Sequence, residues 1–270
     1  MAMTAPLLMR REEGVLILSN NNVAARNALS PEFYAAVTAA LQQAASDSSV
    51  GAIILTGEGG HFCAGGDLRQ LAKRRELPEA ERRAKLEGLH DLIRAVRDCP
   101  KPVVAAVEGA AAGAGLSLAL ACDMLVAAKN SMFSVAYVKV GLTPDGGATA
   151  FLSEFVSRQV LTELCLTGER ISGERLAQLG AVNRLAEPGQ AIVLALALAQ
   201  QIAQGPALAI ARIKDLCRQA PHNSLEAQLE LEAQYMVASQ MTEESREGIG
   251  AFLDKRTPQY RQPVAVPLTQ

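Results

Sequence analysis

The sequence predicts an α/β fold built on a parallel sheet, from three observations. Short β-branched or apolar runs at 15–18, 52–56, 103–107 and 124–128 read as buried strands, with helical patterns between them. The first two runs are joined by a segment that carries its own helix start, and strand, helix, strand in that order implies parallel pairing through a right-handed crossover. Glycine-rich loops follow the second and third of these strands, on the edge of a parallel sheet where ligands bind.

In chain order, the run Val15-Leu16-Ile17-Leu18 follows Gly14 and ends in the turn-rich Ser19-Asn20-Asn21-Asn22. Ser30-Pro31-Glu32 then opens a helix: Ser30 is placed to cap it, Pro31 suits its first position and Glu32 supplies an acid in its first turn. This helix is expected to run to Ala45, and the next strand, 52–56, is ended by Gly57-Glu58-Gly59-Gly60. From Leu68 to Arg97 the chain is charged and helical in pattern. Its basic clusters, Lys73-Arg74-Arg75 and Arg82-Arg83-Lys85, alternate with glutamates as on a solvated face, with a phosphate contact as the rarer reading. Cys99-Pro100-Lys101-Pro102 stops the helix before the strand 103–107. A loop of glycine and alanine leads from that strand into a small-residue helix, 124–128 is a fourth strand, and Met132-Phe133-Ser134 a short fifth. Beyond Pro144-Asp145-Gly146-Gly147 the pattern is mostly helical, with an alanine and leucine helix at 191–204 and an amphipathic one at 224–236.

At 270 residues and 49% apolar content, the chain has material for one full core and a small appendage. Its 26 basic and 28 acidic residues give a net charge of −2, which gathers neither nucleic acid nor an anionic membrane, so no such partner is expected. Five widely spaced cysteines without a CxxC suggest no disulfide framework and no metal site, and fit a cytoplasmic protein. The first residues lack the apolar core of a signal peptide, and no apolar run reaches spanning length.

Gly109, Gly113 and Gly115 admit a close backbone approach and lead into a helix N-terminus, and the cluster at 62–68 follows the neighbouring strand. Two such loops meeting at one sheet edge can present two backbone N–H groups to a developing oxyanion. Tight helix-on-sheet packing calls for the same small residues. At this point the chain resembles the crotonase, or enoyl-CoA hydratase/isomerase, superfamily. The resemblance is carried by Arg26-Asn27-Ala28-Leu29, Phe62-Cys63-Ala64-Gly65-Gly66-Asp67-Leu68, Lys101-Pro102-Val103-Val104-Ala105-Ala106-Val107, Gly113-Ala114-Gly115 with Cys122-Asp123, and Phe252-Leu253-Asp254-Lys255-Arg256.

The resemblance implies a spiral of repeated ββα units over 1–200 and a helical C-terminal trimerisation region over 201–270, in trimers or dimers of trimers. It implies no permanently bound cofactor, the substrate being carried as a coenzyme A thioester. Gly66 and Ala114 stand where the two N–H donors to the thioester carbonyl are expected, Ala114 replacing a usual glycine. Ala28, Ala64, Asp67 and Leu68 would line the CoA path, Arg26 would meet a CoA phosphate, and Lys255 would reach the nucleotide of a neighbouring subunit's CoA. Two glutamates that hold a water in hydratases of this kind are replaced by Ser117 and Tyr137, which points away from hydration. The acid in a matching motif is Asp145, which resembles the aspartate that moves a proton in epoxyphenylacetyl-CoA and dienoyl-CoA isomerases. The segment from 225 to 260 resembles the former branch.

Several readings compete. Asp145 in Pro-Asp-Gly-Gly is also an ordinary helix-cap signal, and its pKa is pulled up by an apolar pocket and down by a helix N-terminus. His90 with Asp145 resembles the pair of a 4-chlorobenzoyl-CoA dehalogenase, which has a tryptophan at the place of Tyr137; Leu-His-Asp-Leu-Ile is equally a plain helix pattern. His61 is expected to cap a loop and His222 to lie in a surface turn. A non-catalytic acyl-CoA-binding or RNA-binding member of the family would need Asp145 to be only a cap. A serine hydrolase would need a strand directly before Ser117, and a dinucleotide fold would need a third glycine.

Overall fold

In a computed structural model that describes residues 5–260, the apolar runs assemble into a six-stranded sheet. The first elements are β1 (Leu7–Glu12), β2 (Val15–Asn20), α1 (Pro31–Ser46), β3 (Ala52–Gly57), α2 (Leu68–Arg74), α3 (Glu79–Asp98), β4 (Val103–Val107) and β5 (Ala110–Ala112). Next come α4 (Ala114–Ala121), β6 (Met124–Ala128), β7 (Met132–Ser134), a 3-10 turn at Ala136–Val140, α5 (Ala148–Ser153), α6 (Arg158–Thr167), β8 (Arg170–Ser172) and α7 (Gly173–Gln178). The chain closes with β9 (Arg184–Ala186), α8 (Ala191–Ala203), α9 (Ala207–Gln219), α10 (Leu225–Gln240) and α11 (Glu243–Leu253).

Strand order in the large sheet is β1-β2-β3-β4-β6-β9; only β1–β2 is antiparallel. A small sheet has the order β5-β7-β8. The chain climbs between the two in ββα steps: β4 enters the large sheet, β5 the small one, and α4 follows; β6, β7 and α5 repeat the course. After β3, Cys63 occupies the place of the second strand through a parallel bridge to Ala111, and α2 follows.

Both faces of the large sheet are covered, as parallel sheets require. Leu16, Leu18, Ile53, Leu55 and Ala105 face Phe33, Val37, Leu41, Leu92 and Val96 of α1 and α3. The alternate residues Val15, Ile17, Ile54, Val104 and Val126 face α8, which meets them with Ala191, Ala195, Ala199 and Ala203. That four-residue spacing places one small side chain per turn on a single stripe. The α1 start forms as expected, the Ser30 side chain accepting from the Phe33 amide at 3.3 Å.

Four differences from the sequence reading have physical reasons. The helical pattern of 68–97 divides into α2 and α3, with Pro78 at the N-cap of α3, because proline cannot continue the first helix. The glycine and alanine stretch after β4 is not all loop: Ala110–Ala112 is β5, formed by pairing with β7 rather than by alanine's weak strand preference. The mostly helical second half contains the three-residue strands β8 and β9, too short to show a period. The charged segment ahead of Gly14 is an antiparallel edge strand, β1.

A buried contact fastens α9 to the core. Lys214 Nζ of α9 lies 2.7 Å from Asp123 Oδ2 and also donates to the Val96 and Lys101 carbonyls, while Asp123 accepts the Val103 amide at 2.7 Å. Asp123 is therefore structural. Since α8 packs on the sheet, a boundary at residue 200 falls inside a core helix, and the change of packing comes at 204–206; residues 261–270 of the expected C-terminal region lie outside the described residues. Among the described residues no single helix is long and apolar enough to cross a membrane.

Candidate active site

The site begins where two loops leave the parallel edge of the large sheet. The bridge between Cys63 and Ala111 lays 63–66 beside 110–114, with Cys63 N–H donating to Ala110 O at 2.8 Å and Ala112 N–H to Cys63 O at 3.0 Å. The fit is close. A Cβ on Gly65, whose φ is +96°, would come 2.7 Å from the Ala112 carbonyl and 3.7 Å from Ala114 N; one on Gly115 would come 2.5 Å from the Cys63 carbonyl. These glycines permit the packing, and Gly65, the residue before Gly66, lies against the start of α4, where Ala114 stands. Ala114 is the first residue of α4, where an amide has no partner within its helix. Neither the Gly66 nor the Ala114 N–H has an acceptor among the described residues. Two free donors on neighbouring rigid loops are the parts of an oxyanion hole.

The expected CoA-lining residues fall on the adjoining strip. Ala64 N–H donates to Arg26 O at 3.0 Å and Leu29 N–H to Gly65 O at 2.8 Å, which holds Arg26, Ala28, Ala64 and Gly66 together. Arg26 is exposed in a left-handed conformation, Ala28 is buried, and Ala64 and Leu68 are exposed. Asp67 accepts the Arg69 and Gln70 amides and thereby caps α2, so its carboxylate is engaged within the protein. Lys255 lies exposed just after α11, and its side chain has no hydrogen bond or ion pair to the other named residues among the described residues.

Beside the Gly113 loop is a cluster of hydroxyls and one carboxylate. Tyr137, from the 3-10 turn, donates to Asp145 Oδ1 at 2.7 Å, and Ser117, on α4, donates to the Asp145 carbonyl at 2.9 Å. The two hydroxyls are 3.4 Å from each other. Asp145 does not cap α5: that helix has Gly147 at its N-cap and no side-chain capping bond. Of the two opposed effects on its pKa, burial prevails. It raises the carboxyl above the usual aspartate range, and the Tyr137 hydrogen bond with the charges of His90 and Arg74 draws it only part of the way back. Burial also raises the Tyr137 phenol, with Asp145 beside it adding to the effect.

His90, on α3, is near enough for a positive charge on it to lower the Asp145 pKa, while its Nδ1 lies 3.5 Å from Glu87 Oε2 one turn away on the same helix. His61 does cap a loop, Nδ1 accepting the Ala110 amide at 3.3 Å, and His222 is exposed in a turn. Two neighbours were not found from the sequence. Tyr34, on α1, is half-buried, and burial pushes its phenol up to about 12, with Arg74 opposing and Asp145 assisting. Arg74, at the end of α2, is a half-buried cation whose charge reaches both groups. The run Lys73-Arg74-Arg75 reads in the sequence as a solvated face, and only the packing of α2 reveals that Arg74 is half-buried. No group of three or more His, Cys, Asp or Glu side chains that could hold a metal occurs among the described residues.

A ββα spiral with two free backbone donors and a half-buried carboxylate defines a class of enzymes that work on a polarised carbonyl. The comparison with known proteins makes the class specific. The enoyl-CoA hydratase/isomerase family profile matches residues 10–263. A 1,2-epoxyphenylacetyl-CoA isomerase of Escherichia coli is 34% identical over 255 residues, 94% of this chain and 97% of its own. A 2,3-dehydroadipyl-CoA hydratase of the same organism is 34% identical over 256 residues, 94% of this chain and 98% of its own. The crystal structure of an enoyl-CoA hydratase from Polaromonas sp. JS666 superposes with a TM-score of 0.91 at 48% identity, covering 94% of this chain and 99% of that one. The chain belongs to the enoyl-CoA hydratase/isomerase family and has the crotonase fold.

Proposed function

We propose that this enzyme is an acyl-CoA isomerase in which Asp145 is the single proton carrier. The observation that carries the reading is how the hydroxyl protons beside Asp145 are used. Tyr137 donates to Asp145 Oδ1 and Ser117 to the Asp145 carbonyl, so both hydroxyls are directed at the aspartate and neither residue is a carboxylate that could deprotonate a water. No second carboxylate hydrogen-bonds to this cluster among the described residues. Hydration needs a group to deprotonate water and one to protonate carbon, whereas a shift of a double bond or an enolate-driven ring opening consumes no water.

In the proposed reaction, the thioester oxygen accepts the Gly66 and Ala114 N–H groups. Asp145 takes a proton from one carbon of the acyl chain, the C–H electrons move onto that oxygen as an enolate, and the carboxylic acid returns the proton to a different carbon. A carboxylate pushed above its usual range is the stronger base for such a carbon acid. Arg26, Ala28, Ala64 and Leu68 would hold the CoA moiety, and no permanently bound cofactor is needed. The likeness to both an isomerase and a hydratase sets the family but not the choice between them.

The same proposal includes trimers or dimers of trimers built on α9–α11, where Leu208, Ile213, Leu229, Val237, Ile249 and Phe252 are exposed. It also includes a cytoplasmic location, consistent with five free cysteines, and neither nucleic acid nor membrane as partner. The decisive assay runs 3-enoyl-CoA isomerisation, 2-enoyl-CoA hydration and 4-chlorobenzoyl-CoA hydrolysis side by side, with the wild type and Asp145→Asn. Isomerisation is expected to dominate and to fall about a hundred- to ten-thousand-fold in the variant. Fast hydration, or near-normal isomerisation by Asp145→Asn, would overturn the proposal.

A further inference from the structure

Tyr137 touches both halves of the site. Its ring faces the loop that carries the oxyanion donor: a Cβ on Gly113, the residue ahead of Ala114, would meet the Tyr137 Cζ at 3.7 Å. Its hydroxyl holds Asp145 Oδ1 at 2.7 Å. The side chain is only 9% exposed, so packing leaves the ring little freedom to turn away. The turn bearing Asp145 is itself pressed into place. Gly146, at φ +59°, lies where an added Cβ would come 3.0 Å from Ser117 Cβ and 3.4 Å from Leu89 Cδ2. Ser117 also fixes the main chain of Asp145 through its bond to the carbonyl at 2.9 Å. With the backbone held by Ser117, the remaining freedom of Asp145 is rotation of its carboxylate, and Tyr137 holds one of the two oxygens.

We infer that Tyr137 is a positioning residue, a strut whose ring spaces the Ala114 amide from Asp145 and whose hydroxyl occupies Oδ1, so that Oδ2 alone meets the substrate proton. This rests on the reading of Asp145 as the proton carrier. It adds that the two ends of the reaction, oxyanion donor and base, are referenced to one side chain from a third element. An error of about 1 Å in such a spacing is enough to cost about a hundredfold in rate. Because its proton is given to Asp145, Tyr137 does not itself exchange protons with the substrate. Its donation also opposes the rise of the Asp145 pKa caused by burial, which provides a measurable signature.

The test uses the full chain with Tyr137→Phe and, by site-specific incorporation, 3-fluorotyrosine at 137. Phenylalanine keeps the ring and removes the donor; fluorotyrosine keeps the ring and is a stronger donor. The readouts are kcat, KM, the acid limb of the pH profile, and the Asp145 carboxyl titration followed by carbon-13 NMR with aspartate labelling, assigned with Asp145→Asn. For Tyr137→Phe, kcat is expected to fall about ten- to a hundredfold with KM little changed, and both the acid limb and the Asp145 titration to move to higher pH. For fluorotyrosine, the limb and the titration are expected to move to lower pH. A residue that only fills space would not produce opposite shifts from two ring-preserving changes. If Asp145→Asn is inactive while both Tyr137 variants keep wild-type kcat and titration, the positioning role is overturned and the proton carrier stands. If Asp145→Asn retains turnover, it is the proton-carrier reading that fails. Should Tyr137→Phe not fold, the fluorotyrosine protein decides alone, an unmoved titration overturning the role.

Discussion

Ala114→Pro isolates one of the two proposed donors of the oxyanion hole. Ala114 opens α4, and the first helical position tolerates proline because its amide has no acceptor within the helix. Gly113, the residue before it, has ψ −127°, outside the helical range that a following proline disfavours. The Ala114 N–H has no acceptor among the described residues, so the substitution breaks no internal hydrogen bond. What it removes is the proposed donor to the thioester oxygen. Loss of one such donor costs about 10²–10³ in kcat, or about 2.7–4 kcal/mol of transition-state stabilisation. The added ring meets a residue that is 4% exposed, and crowding of that kind costs about 1–3 kcal/mol of stability, a loss of a few degrees in Tm. The assay compares kcat on 3-enoyl-CoA, the Kd of free CoA and Tm for wild type, Ala114→Pro and Ala114→Gly. Glycine keeps the amide and controls for the lost methyl. The expectation is a loss of at least about a hundredfold for proline and a small one for glycine, with CoA binding retained. The oxyanion assignment is refuted if the proline variant stays within tenfold of wild-type kcat, or if glycine loses as much as proline.

Asp145→Asn should be at least as stable as the wild type, because the folded-state pKa of Asp145 is raised by burial. A carboxyl raised in this way contributes its stability below the unfolded value of about 3.9 and loses it as pH rises through the folded pKa. The Tm difference, variant minus wild type, should therefore grow with pH through that window and then level off; a variant less stable at neutral pH would contradict the assignment. For the oligomer, light scattering at micromolar concentration should report three or six copies. Phe252→Glu, at an 83% exposed position, should shift the mass downward, and a wild-type monomer would remove the proposed role of Lys255.

The large sheet was legible because its strands are continuous apolar runs, and a sheet covered on both faces needs such runs. Helix α1 was legible for a different reason: Ser30, Pro31 and Glu32 mark its start independently of packing. The small sheet was not. Its members are three residues long, and Ala110–Ala112 has neither a period nor a strand preference; it is a strand because β7 and Cys63 lie beside it. The division of 68–97 was written at Pro78, but a basic, regularly spaced pattern on both sides of it concealed the break.

At the site, motif resemblance located Asp145, Gly66, Ala114, Ser117 and Tyr137, but residue types left the balance of forces among them open. The cap reading of Asp145 depended on where α5 begins, and that start lies at Ala148, with no side chain capping it. Its pKa depended on burial, which comes from α3 and α4 packing over the turn and is absent from the local sequence. The link between Tyr137 and Asp145 spans eight residues, a separation that means nothing until the intervening turns set the direction of the chain. Once they do, a tyrosine and a serine at the places of two glutamates cease to be a missing catalytic pair. Both hydroxyls bond to a single aspartate, and that arrangement is what the proposed single-base reaction rests on.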